Sequence, residues 1–340
     1  MGNQVEILNR VIIAGDKEPR SRALAGLQLL GNGDLLVGYR YASNHPVGNH
    51  EKIDDGTVMT TRSTDNGYTW NTPRPVVAIP GWDCGGGNRI IQTPDGNLMM
   101  FVFQARRANL TYPESHVYPS LSVDSGHTWG PFGAEVTLFS QWTEPHAIGS
   151  MPILQDGRWM MSVYGADGSD SPTYTGVAFS SDKGLTWDNL SIIAKNPDIS
   201  FYETAILQLA ERRFLAVIRT ETPPFTSYFS RSEDDAQTWT APRPLPFQGQ
   251  TPFLFKLSHQ STLCIYRDRD PTRPGVGASV TSDVGENWEY LGQIYSGLDW
   301  NCGYPAIVRL ADGNLFCVYY SCYQQNNSEV HGVHLRITKA

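Results

Sequence analysis

At five places in this sequence a polar or charged residue stands at the head of an otherwise apolar stretch: Arg20 and Arg22, Asn88 and Arg89, His146, Glu203, and Tyr304. Charges in apolar surroundings are the ones that do chemistry, because a low local dielectric strengthens them. Arginine presents a rigid fork of donors that matches a carboxylate. Arg22 is therefore suited to holding an anion, as is Arg219 at the end of Phe214-Leu215-Ala216-Val217-Ile218-Arg219. Burying either alone is costly; a ligand carboxylate would meet the charge, and so would an internal pair with Glu203 or Asp54. Glu203 is suited to proton transfer. The structural alternatives are that Glu203 caps a strand or pairs with Arg219, and that His146 is a satisfied structural histidine. Trp82-Asp83-Cys84-Gly85-Gly86-Gly87-Asn88-Arg89 is Gly-rich but lacks the context of a phosphate loop, and reads as a loop that contacts substrate.

The elements that must position these residues repeat along the chain. Ser-x-Asp-x-Gly-x-Thr-Trp occurs at 63–70, 122–129 and 180–187, with degenerate copies at 232–239 and 281–288. Its aspartates, Asp65, Asp124, Asp182, Asp234 and Asp283, recur about every 50–60 residues. The pattern is that of a hairpin turn: the aspartate accepts backbone N–H bonds, glycine supplies a positive φ, and tryptophan packs between neighbouring sheets. These aspartates are thus structural. Between them runs a second repeat, a polar turn followed by an apolar strand, at 32–37, 95–100, 156–161, 211–216, 259–264 and 312–317.

Six hairpins and five boxes predict an all-β chain, a single six-bladed β-propeller over residues 1–340 with four strands per blade. The box joins the third strand of a blade to the fourth. The last blade has its third strand near 330–337 and takes its fourth from residues 4–13, so that the N- and C-terminal strands close the ring.

Composition narrows the function. Of 340 residues 18% are charged and 40% hydrophobic, as in a packed globular protein, and the formal net charge of −8 argues against nucleic acid as a partner. No stretch approaches the roughly 18 apolar residues of a membrane span, and no signal segment opens the chain, which reads as soluble: cytoplasmic, or secreted with a signal already removed. Cys84, Cys264, Cys302, Cys317 and Cys322 lack metal-ligand spacing and read as buried thiols. No cofactor is implied, and no Asp-x-Asp-x-Asp-Gly spacing marks a calcium loop.

The boxes are similar to those of the sialidase superfamily with its BNR (Asp-box) repeats, and the segments between them extend the resemblance. Tyr202-Glu203-Thr204-Ala205-Ile206-Leu207-Gln208-Leu209, followed by Phe214–Arg219, resembles the family segment that carries a catalytic glutamate and one arginine of a triad. Gly303-Tyr304-Pro305-Ala306-Ile307-Val308-Arg309 resembles the segment of the nucleophilic tyrosine, and Arg22-Ala23-Leu24 stands where the family places its first arginine. The resemblance implies that Tyr304 attacks the sugar while Glu203 takes its proton, since a carboxylate nucleophile would be repelled by the substrate's own carboxylate. It implies a carboxylate clamp of Arg22, Arg219 and a third arginine among Arg267, Arg269 and Arg273, with Arg273 favoured for its place ahead of the fifth box. Arg89 and His146 are further substrate contacts. The acid/base falls on the loop before the first box, to Asp54 or Asp55, with Glu51 and His50 as alternatives.

The expected function is a retaining exo-glycoside hydrolase cleaving a terminal acidic sugar of a glycan. The alternatives are a glycosidase of the same fold acting on a uronic or deoxy sugar, and a non-catalytic carbohydrate-binding propeller.

Overall fold

The computed structural model of the chain describes residues 3–15, 18–43, 54–86, 90–106, 114–131, 133–136, 138, 142–146, 151–168, 171–297, 300–324 and 327–339. Every regular element among them is a β-strand. The chain divides into two compact units. The first comprises residues 136–300 with the extreme N- and C-terminal residues, and the second residues 6–135 with 301–337.

In the second unit one sheet has the order β1 (Asn3–Ala14), β24 (Asn327–Lys339), β23 (Leu315–Gln324), β22 (Cys302–Arg309), so the N-terminal strand lies at an edge beside the C-terminal one. The next sheet runs in chain order through β2 (Ser21–Leu29), β3 (Leu35–Ala42), β4 (Thr57–Ser63) and β5 (Arg74–Ala78). In the third, β6 (Asp83–Gly85) and β7 (Ile90–Gln92) both pair with β8 (Leu98–Arg106), which continues to β9 (Glu114–Ser122) and β10 (Gly130–Pro131).

The first unit holds a sheet of β11 (Thr143–His146), β12 (Trp159–Ala166), β13 (Tyr174–Ser180) and β14 (Asp188–Ala194). Beside it a seven-stranded sheet runs through β15 (Phe201–Ala210), β16 (Arg213–Thr220), β17 (Thr226–Ser232), β18 (Arg243–Lys256), β19 (Thr262–Asp268), β20 (Gly275–Thr281) and β21 (Glu289–Ser296). The long β18 joins two four-stranded halves: Tyr228 of β17 pairs with its Pro244, and Ile265 of β19 with its Phe253.

The middle strands explain the sequence pattern. Every residue of β13, β19 and β20 is buried, so they read as continuous apolar runs rather than as alternations. Side chains from successive sheets interlock. Leu215, Val217 and Phe229 pack with Leu245, Phe247, Leu254 and Tyr266, where the Phe247 and Tyr266 rings stack with centroids 4.3 Å apart.

Each box is a hydrogen-bonded turn set between a third and a fourth strand. In the first, the Ser63 hydroxyl donates to Asp65 (2.8 Å) while its oxygen accepts the Gly67 N–H (2.8 Å). Asp65 also accepts from the Thr69 N–H (2.9 Å) and hydroxyl (2.6 Å), and Trp70 Nε1 donates to the Gly67 carbonyl (3.0 Å). Glycine is required here for space as well as φ. A Cβ on Gly67 would stand 2.7 Å from the Phe316 ring. The degenerate fourth box differs as its sequence does. Ala236 stands at the glycine position with φ +59°, fully buried in the core of Leu154, Phe179 and Phe214, and Trp239 Nε1 donates instead to the Ser191 hydroxyl (3.1 Å).

The boxes also set an acid limit on stability. For Asp65, burial pushes the carboxyl up, but hydrogen bonds from Thr69 and Ser63 outweigh it and hold it at about 2. Hydrogen bonds from Thr238 and then Ser232 hold Asp234 at about 2 as well. Both folded values lie below the roughly 3.9 of an unfolded aspartate. Their contribution is therefore complete above about pH 4 and is lost as pH falls through about 2. Melting temperatures measured from pH 6 to pH 2 should fall less steeply below pH 4 in the Asp65→Asn, Asp234→Asn double variant than in the wild type. Parallel curves would place the acid-labile groups elsewhere.

Candidate active site

The polar residues picked out in the sequence lie where the strand ladders break. Along β15, Phe201 pairs with Thr220 and Thr204 with Ile218, so Tyr202 and Glu203 together face the single residue Arg219. Such a bulge bends the strand and re-aims its side chains. Here it places a carboxylate against the guanidinium of the neighbouring strand: Glu203 Oε1 accepts from Arg219 Nη1 at 2.7 Å, and both side chains are nearly enclosed.

The pair continues into a network within the first unit. Arg219 Nη2 donates to Glu221 Oε1, and Glu221 Oε2 accepts from Gln250 Nε2 at 2.9 Å. Gln250 Nε2 also donates to the Thr220 carbonyl (3.1 Å), while its Oε1 accepts from Arg267 Nη1 (3.3 Å). Glu203, Gln250 and Arg267 are buried, so Arg219 and Arg267 are cross-linked through Glu221 and Gln250 in a region of low dielectric.

The three arginines of the 267–273 segment take different places. Arg267 lies in β19 and is 4% exposed. Arg269 sits between two rings, 4.0 Å from the Phe225 centroid and 4.5 Å from that of Trp300. Arg273 lies beyond the strand, a third exposed, with Nε 2.7 Å from Asp268 and Nη2 3.3 Å from Asp270. Burial pushes the Asp268 carboxyl up, against the Arg273 hydrogen bond that would lower it.

In the second unit the Arg22 and Tyr304 segments are brought together. Arg22 is buried: its N–H donates to the Ser328 hydroxyl (2.6 Å), its Nη1 to the Ser328 and Arg20 carbonyls (3.2 and 3.3 Å), and its guanidinium lies 5.2 Å from the Tyr41 ring centroid. Arg20 donates to the Ser43 hydroxyl at 2.8 Å. Ala23 and Leu24, next to Arg22, pack with Tyr304 and Tyr320. Tyr304 occupies a bulge between Gly303 and Ala306 with φ +47°. For a bulky residue followed by a proline that conformation costs on the order of 1–3 kcal/mol and persists only where the surroundings impose it.

Asp55 closes its loop: its carboxylate accepts the Ser43 N–H at 3.2 Å and the Ser43 hydroxyl. Asp54 is half-buried beside it. His146 ends β11, paired with Tyr164; His50, Glu51 and Arg89 lie outside the described residues.

Sequence reasoning missed Glu221 and Gln250. Glu221 had a signal, standing two residues beyond Arg219 and so on the same side of an extended chain. Gln250 had none; its role comes from the point at which β18 passes from β17 to β19. Among the described residues no group of three or more His, Cys, Asp or Glu side chains could hold a metal ion, and no helix is long and apolar enough to cross a membrane.

The model of the BNR repeat-like domain matches residues 33–317. The chain belongs to the BNR repeat-like family of the sialidase superfamily. Its fold is found in solved structures. One is a protein of unknown function from Dyadobacter fermentans, 21% identical, covering 98% of this chain and 99% of its own, with a TM-score of 0.85. A Hadza microbial sialidase is 17% identical over 94% of this chain and 66% of its own, at 0.70. An α-L-arabinanase of Penicillium chrysogenum complexed with arabinobiose is 14% identical over 97% and 98%, at 0.69. No curated protein matches the chain in sequence.

The buried ion pair yields a stability prediction. Arg219→Met takes the counter-charge from a buried Glu203 and should cost about 3–5 kcal/mol. Glu203→Gln keeps an acceptor for Nη1 and should cost about 1–2 kcal/mol. Urea denaturation of both variants measures the two costs, and equal costs would count against a desolvated pair.

Proposed function

We propose that this BNR repeat-like protein is a retaining exo-glycoside hydrolase that removes a terminal acidic sugar from a glycan. The observation that carries the reading is the Glu203–Arg219 pair, set on a bulge and linked through Glu221 and Gln250 to the buried Arg267. Tyr304 is the nucleophile and Glu203 accepts its proton; Arg22, Arg219 and Arg267 bind the sugar carboxylate, with Arg89 and His146 as further substrate contacts. Arg267 takes the third place rather than Arg273, because Arg273 is bound to Asp268 and Asp270 on a partly exposed loop. On the loop ahead of the first box, Asp54 is the better acid/base candidate, since Asp55 is engaged by Ser43. We read the architecture as a single six-bladed propeller. Boxes between third and fourth strands, the shared β18 and the place of β1 beside β24 support that reading.

One observation favours a second reading, a neutral or deoxy sugar in place of the acidic one. Arg219 is already bracketed by two carboxylates, Glu203 and Glu221, and the arabinanase likeness spans both chains almost completely.

Hydrolysis of an aryl α-sialoside separates the two. Turnover by the wild type, falling at least about 100-fold in both Tyr304→Phe and Glu203→Gln, is the expected result. An inert sialoside with an active aryl α-L-arabinofuranoside would replace the acidic sugar by the neutral one.

A further inference from the structure

The first strands of the sheets share one irregularity. Ladder pairing breaks between Ala23 and Gly26 in β2, Thr143 and His146 in β11, Phe201 and Thr204 in β15, Gln250 and Phe253 in β18, and Gly303 and Ala306 in β22. Each break leaves two residues opposite one on the next strand. The first place of the two holds Leu24, Glu144, Tyr202, Thr251 and Tyr304; the second holds Ala25, Pro145, Glu203, Pro252 and Pro305.

Two of these positions, Tyr304 and Glu203, already have roles in the proposed reaction. Among all ten the carboxylates are Glu203 and Glu144. Glu144-Pro145 repeats the form of Tyr304-Pro305 and Thr251-Pro252. Proline has no N–H for the ladder, and its recurrence at the second place fits a break at that point. The bulge of β11 is also pinned. Glu144 and Pro145 stand opposite Gly165, where an added Cβ would come within 2.5 Å of the buried Trp142 ring, so the strand cannot slide past that contact.

From this placement we propose that Glu144 is the general acid/base of the reaction, in place of Asp54. The assignment rests on the glycoside hydrolase reading. The Glu144 carboxyl proton passes to the glycosidic oxygen as the bond from that oxygen to the anomeric carbon breaks, and the bonding pair leaves with the oxygen. The Tyr304 oxygen forms the new bond to carbon, and its phenolic proton goes to Glu203. In the second half the Glu144 carboxylate takes a proton from water. The water oxygen displaces Tyr304 from the anomeric carbon, and Tyr304 recovers its proton from Glu203.

Leaving-group dependence tests the role, using phenyl and 2,4-dinitrophenyl glycosides of the sugar that the wild type turns over. Glu144→Gln should lose about 100-fold or more in kcat/KM on the phenyl glycoside, which needs protonation, and less than about 10-fold on the dinitrophenyl glycoside, which does not. The basic limb of its pH profile should vanish, and azide should restore turnover with a glycosyl azide as product. Asp54→Asn should keep the wild-type leaving-group dependence and basic limb. Circular dichroism establishes folding; Glu144→Asp, which keeps a carboxyl at reduced reach, should retain the basic limb at lower kcat and serves if Glu144→Gln does not fold. A uniform loss across both glycosides with the basic limb intact, or the acid/base signature in Asp54→Asn instead, overturns the assignment alone. No turnover of any aryl glycoside by the wild type removes the hydrolase reading and the assignment with it.

Discussion

A strand buried on both faces has no place for a charge unless its ladder is interrupted, and that constraint governs this protein. Central strands such as β13, β19 and β20 are wholly buried, and a lone ionised group among them would cost far more than one hydrogen bond returns. The extra residue near the head of each first strand relieves the constraint locally. In β15 it sets two residues against Arg219, so that Glu203 meets the guanidinium rather than a hydrophobic neighbour. In β22 the same irregularity holds Tyr304 in a left-handed conformation that ordinary strand pairing would not tolerate.

The network around Arg219 is graded in burial, and the gradient bears on what it can bind. Glu203 is nearly enclosed, whereas the side chain of Glu221 is 40% exposed. A partner that water can reach holds its cation weakly, because solvent screens the attraction. An incoming carboxylate would therefore exchange for Glu221 at Nη2 far more readily than for Glu203 at Nη1. Gln250 joins the arginines without adding charge, through one donor to Glu221 and one acceptor for Arg267. A glutamate there would add a third carboxylate beside Glu221 and Glu203.

The repeat was legible in the sequence because its turns are local: serine, aspartate, glycine and threonine within one box satisfy one another. Glu203 and Arg219 were legible because a charge at the end of an apolar strand is conspicuous. Gln250 was not, since its meaning depends on register, and register comes from the pairing of strands. The choice among Arg267, Arg269 and Arg273 was hidden for the same reason. Alternating positions in 266–273 look equivalent until β19 ends at Asp268 and leaves Arg273 on the connecting loop. The fourth box shows the limit of motif reading from the other side. Ala236 in place of glycine looks like decay, yet its methyl group fills the core of the neighbouring sheet.

The second unit holds another enclosed ion pair, and the contrast shows why burial alone does not mark a catalytic group. Arg40 Nε lies 2.6 Å from Asp83 Oδ1, with both side chains at most 5% exposed. Gly56 presses against the pair so closely that a Cβ there would fall 1.8 Å from the Asp83 oxygen, and the Gly56 carbonyl accepts the Cys84 N–H at 2.9 Å. Nothing larger than glycine fits between the pair and the backbone it supports, so the pair fastens the end of the Asp54–Asp55 loop to β6. Glu203–Arg219 has no such backbone wedge described against it, and its network runs out to the partly exposed Glu221. A carboxylate can exchange its partners, as catalysis requires, where its network reaches solvent. Where backbone closes over it, as at Asp83, the same chemistry serves only to hold the chain in place.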